Sequence, residues 1–204
     1  MKTLLHTIIV SGALLMMPSA YAENISPRHG FVDNPPSRAF LCSEEGGNLN
    51  KGCGDVQYEP HSVEGKKGFP ETGPKNGEIA SGGNSRFSEL NAQSTIRWHH
   101  VDIESGKQMF TWHLTAPHAT ESWKFYITKG DWDPNQPLSK EQFNSTPFCE
   151  RNDSGKIPTY TVKMECDVPT VKPGYYIILA VWNIADTGNA FYQVIDANIK
   201  QSNP

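Results

Sequence analysis

The second half of the chain alternates apolar and polar side chains with a period of two. From Gln108 to Thr115, Phe110, Trp112 and Leu114 alternate with Thr111, His113 and Thr115; from Trp123 to Thr128, Trp123, Phe125 and Ile127 alternate with Lys124, Tyr126 and Thr128. Successive strand side chains point to opposite faces, so each run predicts a strand with one buried face. Further strands are predicted over Ile96–Ile103, Tyr160–Cys166, Tyr175–Trp182 and Ala190–Ile199. The Tyr175–Trp182 run is apolar throughout, which predicts a central strand covered on both faces. No long segment carries a 3.6-residue period. Several short strands separated by turn signals predict an all-β fold, an antiparallel β-sandwich of immunoglobulin or fibronectin III type, although the antibody-domain Cys and Trp spacing is missing.

Two long stretches interrupt this pattern. Cys53 to about Leu90 is rich in Gly and Pro, with hints of short helix around Ser85 to Leu90, and predicts a long, partly helical loop insertion. Loops of that length inside a compact domain are functional or disordered. Asp131 to Phe148 contains Ser139-Lys140-Glu141-Gln142, a capping-box pattern that predicts one short helical turn. Neither stretch has the composition of a linker, so a single domain is expected.

The N-terminus changes the picture of where this domain works. Residues 1–22 carry one basic residue, Lys2, an apolar run through Met17, and Ala20-Tyr21-Ala22, which is the pattern of a cleavable signal peptide. The apolar run falls short of the ~20 residues a membrane span needs, so a secreted protein without a membrane anchor is expected. The formal charge is −4, and removing 1–22 takes Lys2 and no acid, so nothing electrostatic favours nucleic acid. All four cysteines follow the leader, as two local pairs: Cys42 with Cys53 and Cys149 with Cys166. Three connectivities exist, and the two short loops are the expected disulfides of an exported chain. A four-cysteine zinc site lacks its CxxC-like spacing.

Six histidines follow the leader: His29, His61, His99, His100, His113 and His118. His29 is set apart by its position just after the predicted cleavage point. A chain beginning at His29 would chelate one metal through its amine and imidazole together, and another imidazole would complete a nitrogen-rich set suited to Cu(II). His99, His100 and His113 lie in predicted strands and read as surface residues.

Around these histidines runs a series of motifs: His29-Gly30-Phe31-Val32, Ser37-Arg38-Ala39, Gln57-Tyr58-Glu59-Pro60, Ser62-Val63-Glu64-Gly65, Gly68-Phe69-Pro70, Leu114-Thr115-Ala116-Pro117-His118, Ser122-Trp123, and the stretch from Ala180-Val181-Trp182-Asn183 to Ala190-Phe191-Tyr192. In this order, from His29 to about Ile199, the chain resembles the bacterial chitin-active lytic polysaccharide monooxygenases, the chitin-binding proteins of auxiliary activity family 10.

The resemblance implies one copper ion per chain in a histidine brace. His29 would give its α-amine and Nδ1, and His118 its Nε2. Ala116 would stand near one axial face and Phe191 at the other, keeping it free of a strong ligand. Glu64 would orient bound oxygen or peroxide, an outer-shell role of the kind metal sites need. Trp182 would pack beneath the site. Tyr58 would lie on a sugar ring, with Glu59, Asp186, Thr187 and Asn189 bonding hydroxyls and acetamides on a flat face suited to a crystalline polymer. The implied reaction is C1-oxidising scission of crystalline chitin by a monomer that takes electrons from an external donor and uses O2 or H2O2.

One feature departs from the family pattern. The Ala20-Tyr21-Ala22 site leaves residues 23–28 ahead of His29, and a peptide-bound nitrogen is a poor ligand. Arg28 suits a trypsin-like protease, so 23–28 reads as a short pro-segment and 29–204 as the mature domain. The competing expectation is a chitin-binding or adhesion protein that keeps the flat face without the chemistry. A zinc hydrolase lacks HExxH or comparable ligand spacing.

Overall fold

A computed structural model describes residues 29–201. The expected leader and pro-segment lie outside the described residues. Nine strands form two sheets: β1 (Gly30–Asn34), β2 (Glu64–Lys66), β3 (Val101–Glu104), β4 (Gly106–Leu114), β5 (Thr120–Ile127), β6 (Cys149–Lys156), β7 (Thr161–Val168), β8 (Gly174–Ile184) and β9 (Asn189–Lys200). The smaller sheet runs β1-β4-β7 and the larger β2-β9-β8-β5-β6, with β3 added along β9. All pairings are antiparallel except β3 with β9, which is parallel.

The predicted alternation sets the core between the sheets. Phe110, Trp112 and Leu114 of β4 meet Trp123, Phe125 and Ile127 of β5 and Ile178, Ala180 and Trp182 of β8, all at most 1% exposed. Burial of each such side chain contributes roughly 1.5–3 kcal/mol. The disulfides are Cys42–Cys53 and Cys149–Cys166; the second fastens β6 of the larger sheet to β7 of the smaller.

The other face of the larger sheet is also covered. Val56, Val63, Phe69, Ile79, Phe87 and Leu90 of the long loop pack on Ile177, Leu179 and Val181 of β8 and on Tyr192 and Val194 of β9. Three short 3-10 turns, Phe40–Cys42, Gly54–Gln57 and Ser85–Asn91, give that layer its form. A buried ion pair ties it down. Arg38 donates to both Asp196 carboxylate oxygens at 2.9 and 2.6 Å and to the Leu90 carbonyl at 2.7 Å. The capping box also forms, with the Ser139 N–H donating to Gln142 Oε1 at 2.8 Å.

Several expectations are corrected. Tyr126 and Thr128 are buried, each 1% exposed, because the loop layer covers the face that alternation assigned to solvent. The strand predicted from Ile96 begins only at Val101, and Ile96 is 90% exposed. His99 and His100 therefore precede β3, and His100 is half-buried, stacked on Tyr175 with ring centroids 3.9 Å apart. Strands β1, β2 and β6 were not predicted: β1 and β2 are short, and β6, Cys-Glu-Arg-Asn-Asp-Ser-Gly-Lys, is a polar edge strand without an apolar face.

Candidate metal centre

His29 precedes β1 at one open end of the sandwich. Its carbonyl accepts from the backbone N–H of Thr115 at 2.8 Å and of Ala116 at 3.2 Å, which clips it to the turn leading into His118. The next residue, Gly30, donates to the carbonyl of His61 at 3.0 Å. Both histidine rings stand over one buried aromatic: His29 lies 6.0 Å from Phe191, edge to face, and His118 lies 6.1 Å from it. Phe191 is fully buried and stacks on Trp182 at 4.9 Å, and Trp182 stacks on Trp123 at 5.0 Å. Trp182, fully buried, also lies 5.6 Å from the His118 ring.

His118 is held from two sides. Trp182 Nε1 donates to Thr120 Oγ1 at 2.8 Å, and that hydroxyl donates to the His118 carbonyl at 3.0 Å, a buried chain that fixes the backbone. On the ring itself, Nδ1 lies 3.8 Å from Asp186 Oδ1. Sequence reasoning gave Thr120 no role, and hydroxyls of this kind carry no local signal.

Glu64 and Phe191 are directly opposed across the β2–β9 ladder. The Glu64 carboxylate accepts from Asn189 Nδ2 at 2.9 Å, and the Asn189 N–H donates to Thr187 Oγ1 at 3.2 Å. Beside Glu64 the backbone is crowded: a methyl group at Gly65 would run into the Gly82 carbonyl oxygen, so only glycine fits there.

Tyr58 follows the Gly54–Gln57 turn and is 75% exposed. Glu59 beside it makes a bidentate pair with Arg86 at 2.9 and 3.0 Å, and those hydrogen bonds hold its carboxyl below the usual range. Arg86 also donates to Asp55 at 2.9 Å and was not singled out from the sequence. His61, likewise given no role, lies 5.0 Å from the His29 ring, and burial keeps its pKa below the ordinary value against the opposing charges of Glu59 and Glu45.

Among the described residues no group of three or more His, Cys, Asp or Glu is arranged to hold a metal ion. The two imidazoles over Phe191 are nitrogen donors of the kind that suit copper, zinc, iron or nickel, and not Mg or Ca. The structure thus brings two imidazoles together over one buried aromatic at an open end of a β-sandwich.

Comparison with known proteins gives the family. The family described as "Lytic polysaccharide mono-oxygenase, cellulose-degrading" matches residues 29–197. The lytic chitin monooxygenase of Enterococcus faecalis is 43% identical over 200 residues, covering 98% of this chain and 100% of that protein. GlcNAc-binding protein A of Shewanella oneidensis is 44% identical over 196 residues; the match covers 96% of this chain but only 39% of that longer protein. Among solved structures, a lytic polysaccharide monooxygenase from Photorhabdus luminescens superposes with a TM-score of 0.84 at 50% identity, covering 85% of this chain and 100% of that one. A Bacillus amyloliquefaciens CBM33 protein in complex with Cu(I) gives 0.77 at 42% identity, covering 84% and 100%. The chain belongs to the lytic polysaccharide monooxygenase family and is a copper-dependent monooxygenase. No helix among the described residues is long and apolar enough to cross a membrane.

Proposed function

We propose that this protein is secreted and cleaves glycosidic bonds of crystalline chitin by oxidation at C1, as a monomer with one copper ion in a histidine brace. The observation that carries this reading is the placement of His29 and His118 about 6 Å from the same buried Phe191 ring, with the His29 carbonyl clipped to Thr115 and Ala116. His29 would hold the metal through its amine and ring and His118 through Nε2. When bound, copper supplies the one-electron chemistry that, with an external donor, activates O2 or H2O2.

The chain's own residues then orient and exclude. Phe191 and Ala116 would keep strong ligands away from a metal held by the two histidines. Glu64, steadied by Asn189, would offer a hydrogen-bonding carboxylate to the bound cosubstrate. Tyr58 lays its ring on a sugar, with Glu59, Asp186, Thr187 and Asn189 offering polar contacts around it. Chitin is favoured by relatives named for it and for GlcNAc, while the family description names cellulose, which makes cellulose the comparison substrate.

Maturation has two steps in this reading. Signal peptidase removes 1–22, and a trypsin-like cut after Arg28 removes 23–28 and frees the His29 amine. The test uses two chains, one beginning at His29 and one at Glu23, each given copper, ascorbate and β-chitin or cellulose. The His29 chain is expected to release aldonic-acid oligosaccharides from chitin, and the Glu23 chain little or none. Copper-loaded His29 chain releasing only unoxidised ends, or nothing, would refute the reading. Equal activity from both chains would refute the two-step maturation.

A further inference from the structure

The end of the sandwich that carries the histidines is ringed by loops, and one of them bears apolar side chains that the site described above does not use. Strand register places that loop. Gly30 of β1 faces Leu114 of β4, and the Leu114 N–H donates to the Tyr160 carbonyl at 2.7 Å, so the smaller sheet reaches this end level with Tyr160. In the larger sheet, Thr120 of β5 is opposed by Ile184 of β8 on one side and by Lys156 of β6 on the other. Beyond those residues run the β4–β5 turn with His118, the β8–β9 turn with Asp186, and the β6–β7 loop, residues 157–160. At ~4.8 Å per strand, Tyr160 lies two strands, roughly 10 Å, from the residue that follows His29.

Ile157 is 72% exposed and Tyr160 63%. Tyr160 shares the parity of Val162, Met164 and Cys166, whose side chains point into the core. It stands just before β7, at the open end, and stays largely exposed where its successors in the strand are buried. Among the described residues, Tyr58 and Tyr160 are the large exposed aromatics, and the strand register puts Tyr160 at the same end of the sandwich as His29. The Tyr160 backbone is fixed by the Leu114 hydrogen bond, by Pro158, and by Thr159 Oγ1 donating to the Thr161 carbonyl at 2.8 Å. A ring presented from a fixed backbone loses little entropy on binding. Lys156 and Lys163 line a shallow depression with Ile157, Pro158 and Thr159 of the same loop.

We propose that the Ile157–Tyr160 loop is a second contact strip for crystalline chitin, with Tyr160 stacking on a sugar ring on the flank of the copper centre away from Tyr58. This rests on the chitin reading above. A flat solid touches both flanks of the end at once, and exposed apolar rings on both flanks, around a centre that must meet a polymer surface, fit that one occupant.

The test is an adsorption isotherm on β-chitin and on cellulose, using the copper-loaded chain beginning at His29 without reductant. Tyr160→Ala is expected to weaken adsorption to chitin roughly 2- to 10-fold, the usual worth of one aromatic contact. Ile157→Ser is expected to add to that loss, and Tyr160→Phe to keep wild-type adsorption. Met109→Ala, an exposed change in the middle of β4, is expected to leave adsorption intact, and copper affinity should be the same in all four variants. Wild-type adsorption by Tyr160→Ala alongside weakened Tyr58→Ala would overturn the loop and leave the chitin reading standing. A wild type that adsorbs to neither polysaccharide overturns both. Loss of a solution dimer in Tyr160→Ala with unchanged adsorption would assign the strip to a second copy and overturn the proposal.

Discussion

Replacing Asp186 with alanine separates two jobs that one carboxylate can do at this site. Its Oδ1 stands 3.8 Å from His118 Nδ1, and the side chain is 48% exposed. If it orients the imidazole, its loss frees the ring to rotate and lowers the basicity of Nε2. Outer-shell partners of metal-bound histidines are worth 10- to 100-fold in metal affinity. A separation beyond hydrogen-bond length and half-exposure to water both weaken the effect. The expected cost is therefore at the low end, about 10-fold in copper affinity or ~1.4 kcal/mol. The assay is copper titration against a competing chelator, run on the chain beginning at His29, with metal-free adsorption to β-chitin measured in parallel. Adsorption is expected to change less than copper affinity. Copper affinity within twofold of wild type, with adsorption lost, would refute the orienting role and leave Asp186 as a substrate contact.

Two further expectations concern stability. Asp196→Asn leaves the buried Arg38 guanidinium without its counter-charge; both side chains are 1% exposed, and breaking such a pair costs about 3–5 kcal/mol. At ~2–4 °C per kcal/mol for a domain of this size, Tm should fall by roughly 6–20 °C, and a fall under about 2 °C would show that the pair does not hold the loop layer to β9. Chelating copper from a sample loaded at a thousandfold over Kd should remove about 4 kcal/mol of stabilisation, lowering Tm by roughly 8–16 °C in the chain beginning at His29. The same treatment should barely move a chain beginning at Glu23, and an equal shift in both would mean that the His29 amine is not a ligand.

The sequence by itself determined what depends on local order. The period of two along Gln108–Thr115 and Trp123–Thr128 named the side chains that fill the space between the sheets, because strand geometry sends alternate residues to one face wherever the strand sits. The unbroken apolar run at Tyr175–Trp182 signalled a strand covered twice, and two close pairs of cysteines signalled their own partners. The expectation for His29 rests on its place just after the predicted cleavage point, and those for His118, Phe191 and Glu64 on motifs that a family shares.

Tertiary structure decided what depends on distant partners. Tyr126 and Thr128 have the polarity of a solvent face, and only the loop layer folded over them makes that face a second core. Polar side chains look alike in sequence whether they meet water or one another. Asn189 is 125 residues from the Glu64 it steadies, Arg86 is 27 from the Glu59 it clamps, and Thr120 is 62 from the Trp182 that donates to it. The first and third arise where strands β2, β5, β8 and β9 end together at one edge of the sandwich, and the second joins two turns of the loop layer. That convergence is set by sheet order and register, which local pattern does not encode.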